Sequence, residues 1–279
     1  MINHFIPNSL CEALDILSKH DCYIMAGGTD LMVQKHRSSG LLPTFEKDVL
    51  YISDLSELNY IKEDNEKVYI GATTKYRDIE RSDIVPQMLK DVIKELASPN
   101  IRNMATLAGN IGNASPAGDS LVALYILDAS VKLMSKSGER VLLVKDFIKG
   151  VRKKDIRCDE LIVEIIIPKL NIEYKWVKVG SRAAESISKL SFIGAYKLEK
   201  NKVADLRIAF GSVSITVVRN KDIENKYIGL EKEALIKQRA TILADYDQII
   251  NPITDQRSTK DYRKKVCLNL LDNFIQNIK

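Results

Sequence analysis

Residues 22–36 read CYIMAGGTDLMVQKH, and this stretch decides the fold of the N-terminal part of the chain. The apolar run Cys22–Ala26 predicts a short buried strand, and the residues from Leu31 to His36 predict a helix. Between them, Gly27-Gly28-Thr29-Asp30 predicts a tight turn whose backbone N–H groups can approach a ligand without a Cβ in the way. Because the first N–H groups of a helix have no partner, a strand, glycine turn and helix in this order suit a pyrophosphate.

The glycine turn by itself does not identify a ligand site. A Gly-Gly turn followed by Thr and Asp is more often only a turn, and the stretch lacks the G-x-G-x-x-G pattern of dinucleotide-binding folds. Thr29 offers a hydroxyl donor, whereas the carboxylate of Asp30 would repel phosphates. Two roles for Asp30 stay open: capping the helix N–H groups, or accepting a hydrogen bond from a sugar hydroxyl.

A second stretch, residues 106–120, reads TLAGNIGNASPAGDS and combines small with hydrogen-bonding residues. Its Gly, Asn, Ser and Pro content predicts a loop over residues 110–119. Donors and acceptors come together here, from Thr106, Asn110, Asn113, Ser115 and Asp119. A plain structural loop would need only one or two of them, so the mixture favours a ligand that carries hydroxyls, carbonyls and phosphates.

The remaining periodicity predicts an α+β order of elements. Before residue 170 it indicates helices at 9–19, 74–81, 86–97 and 121–127, strands at 49–53, 67–72 and 161–167, and a hairpin of 131–135 with 139–144. After a boundary near residue 170 it indicates strands at 173–179, 190–198 and 203–211, then helices at 231–244 and 259–277. In the last helix, one apolar stripe is predicted to contain Val266, Leu270, Phe274 and Ile278. A mixed α/β part followed by a sheet and then helices is typical of the α+β class.

Composition and charge argue against several classes of function. The 42 basic residues exceed the 37 acidic ones by only five and are spread along the chain, which argues against nucleic-acid binding. The four scattered cysteines and the three histidines form no metal-binding or disulfide pattern, so we expect no metal site. Residues 1–9 lack the pattern of a secretory signal, and no run of about 18 apolar residues predicts a membrane span. We therefore expect a cytoplasmic protein.

Five motifs, in their order along the chain, resemble one family. They are AGGTDLM at 26–32, IRNMATLAGNIGNASPAGDS at 101–120, DELIVEIIIP at 159–168, KVGSR at 178–182 and DQRSTKDYRKKV at 255–266. This series resembles the FAD-binding (medium) subunit of the molybdenum hydroxylases, which include xanthine, nicotinate and carbon monoxide dehydrogenases. The last motif is similar to the family's closing Asp-x-Arg-x-Ser-x-x-Tyr-Arg pattern, with one residue fewer between Arg257 and Ser258.

The resemblance implies a fold and a domain order. It implies a vanillyl-alcohol-oxidase (PCMH) type of FAD-binding domain over residues 1–170, with subdomains of about 1–55 and 56–170. A smaller C-terminal α+β domain, an antiparallel sheet with helices, would occupy residues 171–279.

The resemblance also assigns cofactor contacts to individual residues. The first motif would wrap the FAD pyrophosphate with Ala26, Gly27, Gly28, Thr29 and Asp30, with Leu31 close behind and Met25 as a further cofactor-binding residue. The second would contact the cofactor through Thr106, Gly109 and Asn110, and would bring Gly112 and Asn113 near the flavin ring or ribityl chain. Beyond these loops the resemblance implies a carboxylate that accepts from a cofactor hydroxyl, an apolar residue against the isoalloxazine and a cation near its pyrimidine edge: Asp119, Ile162 and Lys178.

Three departures from the family pattern bear on these assignments. Ala108 replaces the first Gly of a Gly-Gly-Asn turn, and it is small enough for FAD binding to survive. Ala183 follows Arg182 where some relatives have a second arginine, which leaves a nicotinamide contact there open. No cysteine cluster occurs between residues 110 and 160, so the iron–sulfur insert of the hydroxybenzoyl-CoA reductase branch is not expected.

The resemblance implies an electron-transfer role without catalytic acid–base residues in this chain. Electrons would arrive one at a time from an iron–sulfur ([2Fe-2S]) subunit and leave as a pair to NAD, oxygen or a quinone. A molybdopterin-binding subunit would complete a heterotrimer, commonly doubled. Two alternatives stay open, namely a self-sufficient FAD oxidase of the vanillyl-alcohol-oxidase type and a non-flavin nucleotide-binding protein.

Overall fold

A computed structural model describes residues 2–36, 38 and 40–279 of the chain. Its first sheet has three parallel strands in the order β1-β3-β2, namely β1 (His4–Phe5), β2 (Cys22–Met25) and β3 (Asp48–Tyr51). Helices α1 (Leu10–Leu17) and α2 (Leu31–Lys35) flank β2 along the chain. The Ser9 hydroxyl accepts from the N–H of Glu12 and so caps α1, as the sequence predicts. The strand, glycine turn and helix predicted for residues 22–36 are therefore confirmed.

The second sheet is antiparallel and has the order β4-β5-β10-β6-β7. Its strands are β4 (Ile61–Glu63), β5 (Lys67–Gly71), β6 (Ser130–Ser135), β7 (Gly138–Leu143) and β10 (Leu161–Pro168). The predicted hairpin is confirmed by the pairing of β6 with β7. Because β10 is the central strand, its apolar run is buried almost throughout, and a register shift follows Ile162.

Helices connect or follow these strands: a short 3-10 helix (Ser56–Leu58), α3 (Tyr76–Arg81), α4 (Gln87–Lys94), α5 (Pro99–Arg102), α6 (Leu107–Asn113), α7 (Asp119–Ile126) and α8 (Val144–Phe147). The predicted loop over residues 110–119 is wrong for much of its length, because α6 continues to Asn113 and only residues 114–118 separate it from α7. Gly and Asn are poor helix formers, but burial of Leu107, Ala108 and Ile111 outweighs their low propensity. Ala114 then ends α6 in the left-handed conformation, with φ of 49°.

A small hairpin follows α8, formed by β8 (Ile148–Gly150) and β9 (Lys153–Lys154). Arg152 lies in its turn with φ of 56°, and its N–H donates to the carbonyl of Ala114 at 3.0 Å. This bond joins the hairpin to the end of α6.

The third sheet is an antiparallel meander of β11 (Glu173–Val179), β12 (Leu190–Glu199) and β13 (Lys202–Gly211). Helices α9 (Lys221–Asn225), α10 (Lys232–Lys237), α11 (Arg239–Ile249) and α12 (Lys260–Gln276) follow it, so the single helix predicted at 231–244 is wrong. The predicted stripe of α12 is also partly wrong. Phe274 and Ile278 are buried, but Val266 and Leu270 are only partly buried, and the core side of the helix contains Arg263, Cys267, Leu271, Phe274 and Ile275.

The sheets and their helices confirm the predicted α+β class. Two compact units divide the chain. The first contains residues 1–85, 97–115 and 128–169, and the second contains residues 86–96, 116–127 and 170–279. Within the described part of the chain, no helix is both long enough and apolar enough to cross a membrane.

Candidate functional site

The turn at residues 26–30 presents free backbone donors in the first unit. Gly28 has φ of 67°, a conformation that favours glycine. Among the described residues, the backbone N–H groups of Gly27, Gly28, Thr29 and Asp30 have no hydrogen-bond acceptor. Successive free N–H groups at a turn bind anions, so the turn can hold a phosphate or pyrophosphate.

Gly27 positions this turn against the segment that leads into α6. A Cβ at Gly27 would lie 2.2 Å from the carbonyl oxygen of Met104, so no other residue fits without moving the backbone. Met25 is buried beside Phe45 and Val49, and Leu31 packs partly buried against the same cluster. Met25 and Leu31, which flank the turn at residues 26–30, therefore contribute to the core that supports it.

Asp30 and Asn113 belong to one hydrogen-bond network. The side-chain nitrogen of Gln34 donates to Asp30 Oδ2 at 2.8 Å and to Asn113 Oδ1 at 2.9 Å. Asp30 is at the N-terminal cap of α2 but its side chain accepts no cap hydrogen bond, so the capping role considered from the sequence is wrong. The network joins the glycine turn to the end of α6. The sequence predicted that both motifs contact one cofactor, but it did not predict this hydrogen-bond network.

Thr106 begins α6 as its cap. Its buried hydroxyl accepts from the N–H of Gly109 at 2.9 Å, and its carbonyl accepts from the N–H of Asn110. A Cβ at Gly109 would lie 2.9 Å from the same hydroxyl. Thr106 therefore shapes the helix, while Gly109 is exposed at its surface.

Gly112 has an apolar side chain near its Cα and a cation at its carbonyl oxygen. A Cβ at Gly112 would have only the Cδ1 atom of Ile162 within 4 Å, at 3.7 Å, so this side of α6 is open. The ammonium of Lys154 donates to the carbonyl oxygen of Gly112 at 2.7 Å. Burial among surrounding protein atoms, with a smaller effect of the Lys47 charge, lowers the pKa of Lys154, although solvent reaches the residue.

Sequence reasoning missed Lys154. In the sequence, residues 152–154 form a short basic run, and nothing in their spacing indicates that Lys154 reaches α6. No local pattern in the sequence could have identified Lys154, because its position depends on the tertiary contact between the hairpin of β8 and β9 and the glycine-rich helix α6.

Asp119 and Lys178 lie together in the second unit. Lys178 Nζ is 3.0 Å from Asp119 Oδ2, with the two side chains 8% and 5% exposed. Ser188 donates to Asp119 Oδ1 at 2.6 Å, and Lys178 also donates to the carbonyl oxygen of Glu95 at 2.7 Å. The lysine expected as a single cation is thus part of a buried ion pair.

The residues of the first unit fit a dinucleotide cofactor with an apolar ring. The turn supplies N–H donors for phosphates, Thr29 and Asp30 supply a hydroxyl and a carboxylate for sugar hydroxyls, and Ile162 supplies an apolar surface beside Gly112. FAD carries each of these chemical groups, together with a ring that becomes more negative on reduction.

Family models cover nearly the whole chain. Residues 1–170 match the FAD binding domain in molybdopterin dehydrogenase, and residues 175–278 match the CO dehydrogenase flavoprotein C-terminal domain.

Known proteins of similar sequence and structure agree with these matches. The chain is 34% identical over 263 residues to the glyceraldehyde dehydrogenase medium chain of Sulfolobus acidocaldarius, covering 92% of this chain and 91% of the relative. It is 27% identical to the carbon monoxide dehydrogenase medium chain of Afipia carboxidovorans, covering 98% and 95%. Reconstituted CO dehydrogenase from Oligotropha carboxidovorans superposes with a TM-score of 0.88 at 22% identity, covering 98% of this chain and 96% of that chain. The last match shows the fold.

The chain belongs to the family of FAD-binding medium subunits of the molybdenum hydroxylase-type dehydrogenases. Its cofactor is FAD, and it is the flavoprotein component of an oxidoreductase, as the resemblance of the five motifs predicted. Membership and fold are confirmed, while the contacts of individual residues with FAD stay predictions.

Proposed function

We propose that this chain transfers electrons between an iron–sulfur ([2Fe-2S]) subunit and a two-electron acceptor, in a complex with a molybdopterin-binding subunit. FAD, when bound, supplies the chemistry that converts single electrons into a transferred pair. The observation that carries the proposal is the donor-rich turn at residues 27–30 beside the open face of Gly112, in a chain of this family. NAD is the proposed acceptor, with oxygen or a quinone as the alternatives.

The protein residues hold and orient the cofactor in this proposal. The turn from Ala26 to Asp30 binds the pyrophosphate, and α6 contributes Gly109 and Asn110 along the same cofactor. Gly112, Asn113 and Ile162 adjoin the flavin end. For Asp119 and Lys178, the cofactor contacts that the family resemblance implies stay predictions. No proton transfer is assigned to a side chain of this chain.

A self-sufficient FAD oxidase is the alternative function. The match to an FAD binding domain argues against the non-flavin nucleotide-binding protein that the sequence left open. A visible absorption spectrum of the purified chain distinguishes flavin from non-flavin binding. Absence of flavin bands, together with no uptake of added FAD, would refute the main proposal. Affinity purification from the native source should recover an iron–sulfur and a molybdenum subunit, and recovery of a lone flavoprotein that oxidises a substrate would favour the oxidase. The cytoplasmic location also stays a prediction, which cell fractionation tests.

The substitution Gly112→Ala tests where the cofactor lies. A methyl group at this position has an ordinary contact with Ile162, and Ala favours a helix over Gly by about 0.5–1 kcal/mol, so the chain should fold normally. If the flavin end occupies this open face, the dissociation constant for FAD should rise about tenfold or more, or by about 1.4 kcal/mol. Titration of the apoprotein with FAD, followed by flavin fluorescence, measures the constant.

Gly109→Ala is the comparison variant for this test. Its Cβ would lie 2.9 Å from the Thr106 hydroxyl, so the free energy of unfolding of the apoprotein should fall, whereas that of Gly112→Ala should not. Unchanged FAD affinity in a stable Gly112→Ala protein would show that the cofactor does not pass this position.

A further inference from the structure

We propose that Lys154 contacts the bound flavin and supplies the uncompensated positive charge that favours its reduction, a role that sequence resemblance gave to Lys178. The inference rests on the proposed function, since it requires FAD beside α6.

Position is the first argument. The Lys154 ammonium is 2.7 Å from the carbonyl oxygen of Gly112, the residue whose open face also meets Ile162. Gly112 thus has a cation at its carbonyl oxygen and an aliphatic side chain near its Cα, which are the two kinds of group that a ring with an apolar face and a polar edge requires. The N–H of Arg152 donates to the Ala114 carbonyl, which holds the hairpin that carries Lys154 against the end of α6.

Charge balance is the second argument. Among the described residues, no carboxylate lies within ion-pair distance of Lys154, whose ammonium has the Gly112 carbonyl as its acceptor. Lys178, by contrast, is 3.0 Å from Asp119 in a buried pair. A pair of opposite charges has no net charge, so its field falls off with distance much faster than that of a single cation.

The surroundings of Lys154 also favour this role. Protein atoms around its ammonium lower its pKa, although the side chain is exposed to solvent. A bound cofactor would exclude water from this cation, and a less screened cation stabilises nearby negative charge more strongly. Reduced flavin carries more negative charge than oxidised flavin, so the cation should raise the reduction potential of the cofactor.

The test compares four forms of the full-length protein loaded with FAD. Lys154→Gln keeps a donor for the Gly112 carbonyl but removes the charge, Lys154→Arg keeps the charge, and Lys153→Met removes the exposed neighbouring cation of β9. Adjacent side chains of a strand point to opposite faces, which makes Lys153 a matched control. The reduction potential of the bound flavin in each form is measured by equilibration with a redox dye. The dissociation constant for FAD is measured by titration of the apoprotein.

Lys154→Gln should shift the reduction equilibrium at least tenfold toward the oxidised form, which is about 30 mV for a two-electron couple. Lys154→Arg and Lys153→Met should stay close to the wild type. An unchanged potential in Lys154→Gln with FAD bound would overturn the role of Lys154, as would an equal shift in Lys153→Met. If Lys154→Gln does not retain FAD, Lys154→Arg decides the question, because it keeps the positive charge. Lys154→Arg must then bind FAD and show the wild-type reduction potential, and loss of either would overturn the proposal. Failure of the wild-type apoprotein to take up FAD would instead refute the proposed function.

Discussion

At the residue scale, the Asp119–Lys178 pair illustrates how a buried charge depends on its partner. Both side chains are almost fully buried, and Ser188 and the Glu95 carbonyl complete their hydrogen bonds. Removing one member of such a pair leaves the other charge buried without compensation, which costs more than the pair contributes.

Lys178→Met should therefore lower the free energy of unfolding by about 3–5 kcal/mol, because the Asp119 carboxylate would lose its cation and keep the Ser188 hydroxyl as its side-chain donor among the described residues. Urea unfolding of the apoprotein, followed by circular dichroism, measures this change. Lys175→Met on the same strand is the matched control, since Lys175 is exposed and, within the described part of the chain, its ammonium bonds the Asn273 side chain alone. It should change stability by no more than about 0.5 kcal/mol. Equal effects of the two substitutions would show that Asp119 and Lys178 do not form a compensated pair in solution.

At the element scale, the turn between β4 and β5 depends on one carboxylate. Asp64 accepts from the hydroxyl of Tyr69 at 2.6 Å and from the N–H groups of Glu66 and Lys67 at 2.8 Å. These bonds, the one from Tyr69 first among them, lower the pKa of Asp64 to about 2. Asp64 thus fixes the turn that joins two strands of the second sheet.

Tyr69→Phe should raise the pKa of Asp64 toward its ordinary value of about 3.9, because the strongest donor is lost. The native pKa of Asp64 is lowered, so its contribution to stability is present above the unfolded value and is lost as pH falls from about 4 to about 2. An NMR titration that follows the carboxylate chemical shifts measures the pKa of Asp64 in the wild type and in Tyr69→Phe. Asp15, whose pKa of about 2 depends on Lys136 and Lys19, should titrate identically in the two. An unshifted Asp64 titration would contradict the role of Tyr69.

At the scale of the whole molecule, the second unit is assembled from three separate segments. Its helix α7 is buried at all eight positions and packs within that unit against β12, β13 and α4. Arg207 and Arg219 also donate to carbonyl oxygens at the end of α7. Residues 121–126 of α7 are apolar or aromatic on every side of the helix and are buried, so α7 is part of the core of the second unit.

A fragment of residues 170–279 should therefore not fold cooperatively, since it lacks α4 and α7. We expect it to bind the dye ANS strongly and to unfold over a broad range of urea, because the face of β12 and β13 that α7 covers would be exposed. The full-length chain measured in the same conditions is the reference. A single sharp unfolding transition of the fragment would show that residues 86–96 and 116–127 are dispensable for this unit.

The sequence alone determined those features whose cause is local. A glycine turn between an apolar strand and a helix follows from neighbouring residues, as do the hairpin of β6 with β7 and the meander after residue 170. The ordered motifs sufficed to place the chain in its family. Free backbone donors at residues 27–30 also follow from local geometry, because glycine with positive φ turns the chain before its first helical hydrogen bonds form.

Only the tertiary structure decided which side chains meet across long stretches of sequence. Lys154 reaches Gly112 and Lys178 pairs with Asp119 because of packing between elements 42 and more residues apart, which no local pattern encodes. The same reason explains why residues 107–113 are helical: burial of their apolar side chains outweighs the poor helix propensity of Gly and Asn. Charge compensation of each lysine is therefore a property of the fold.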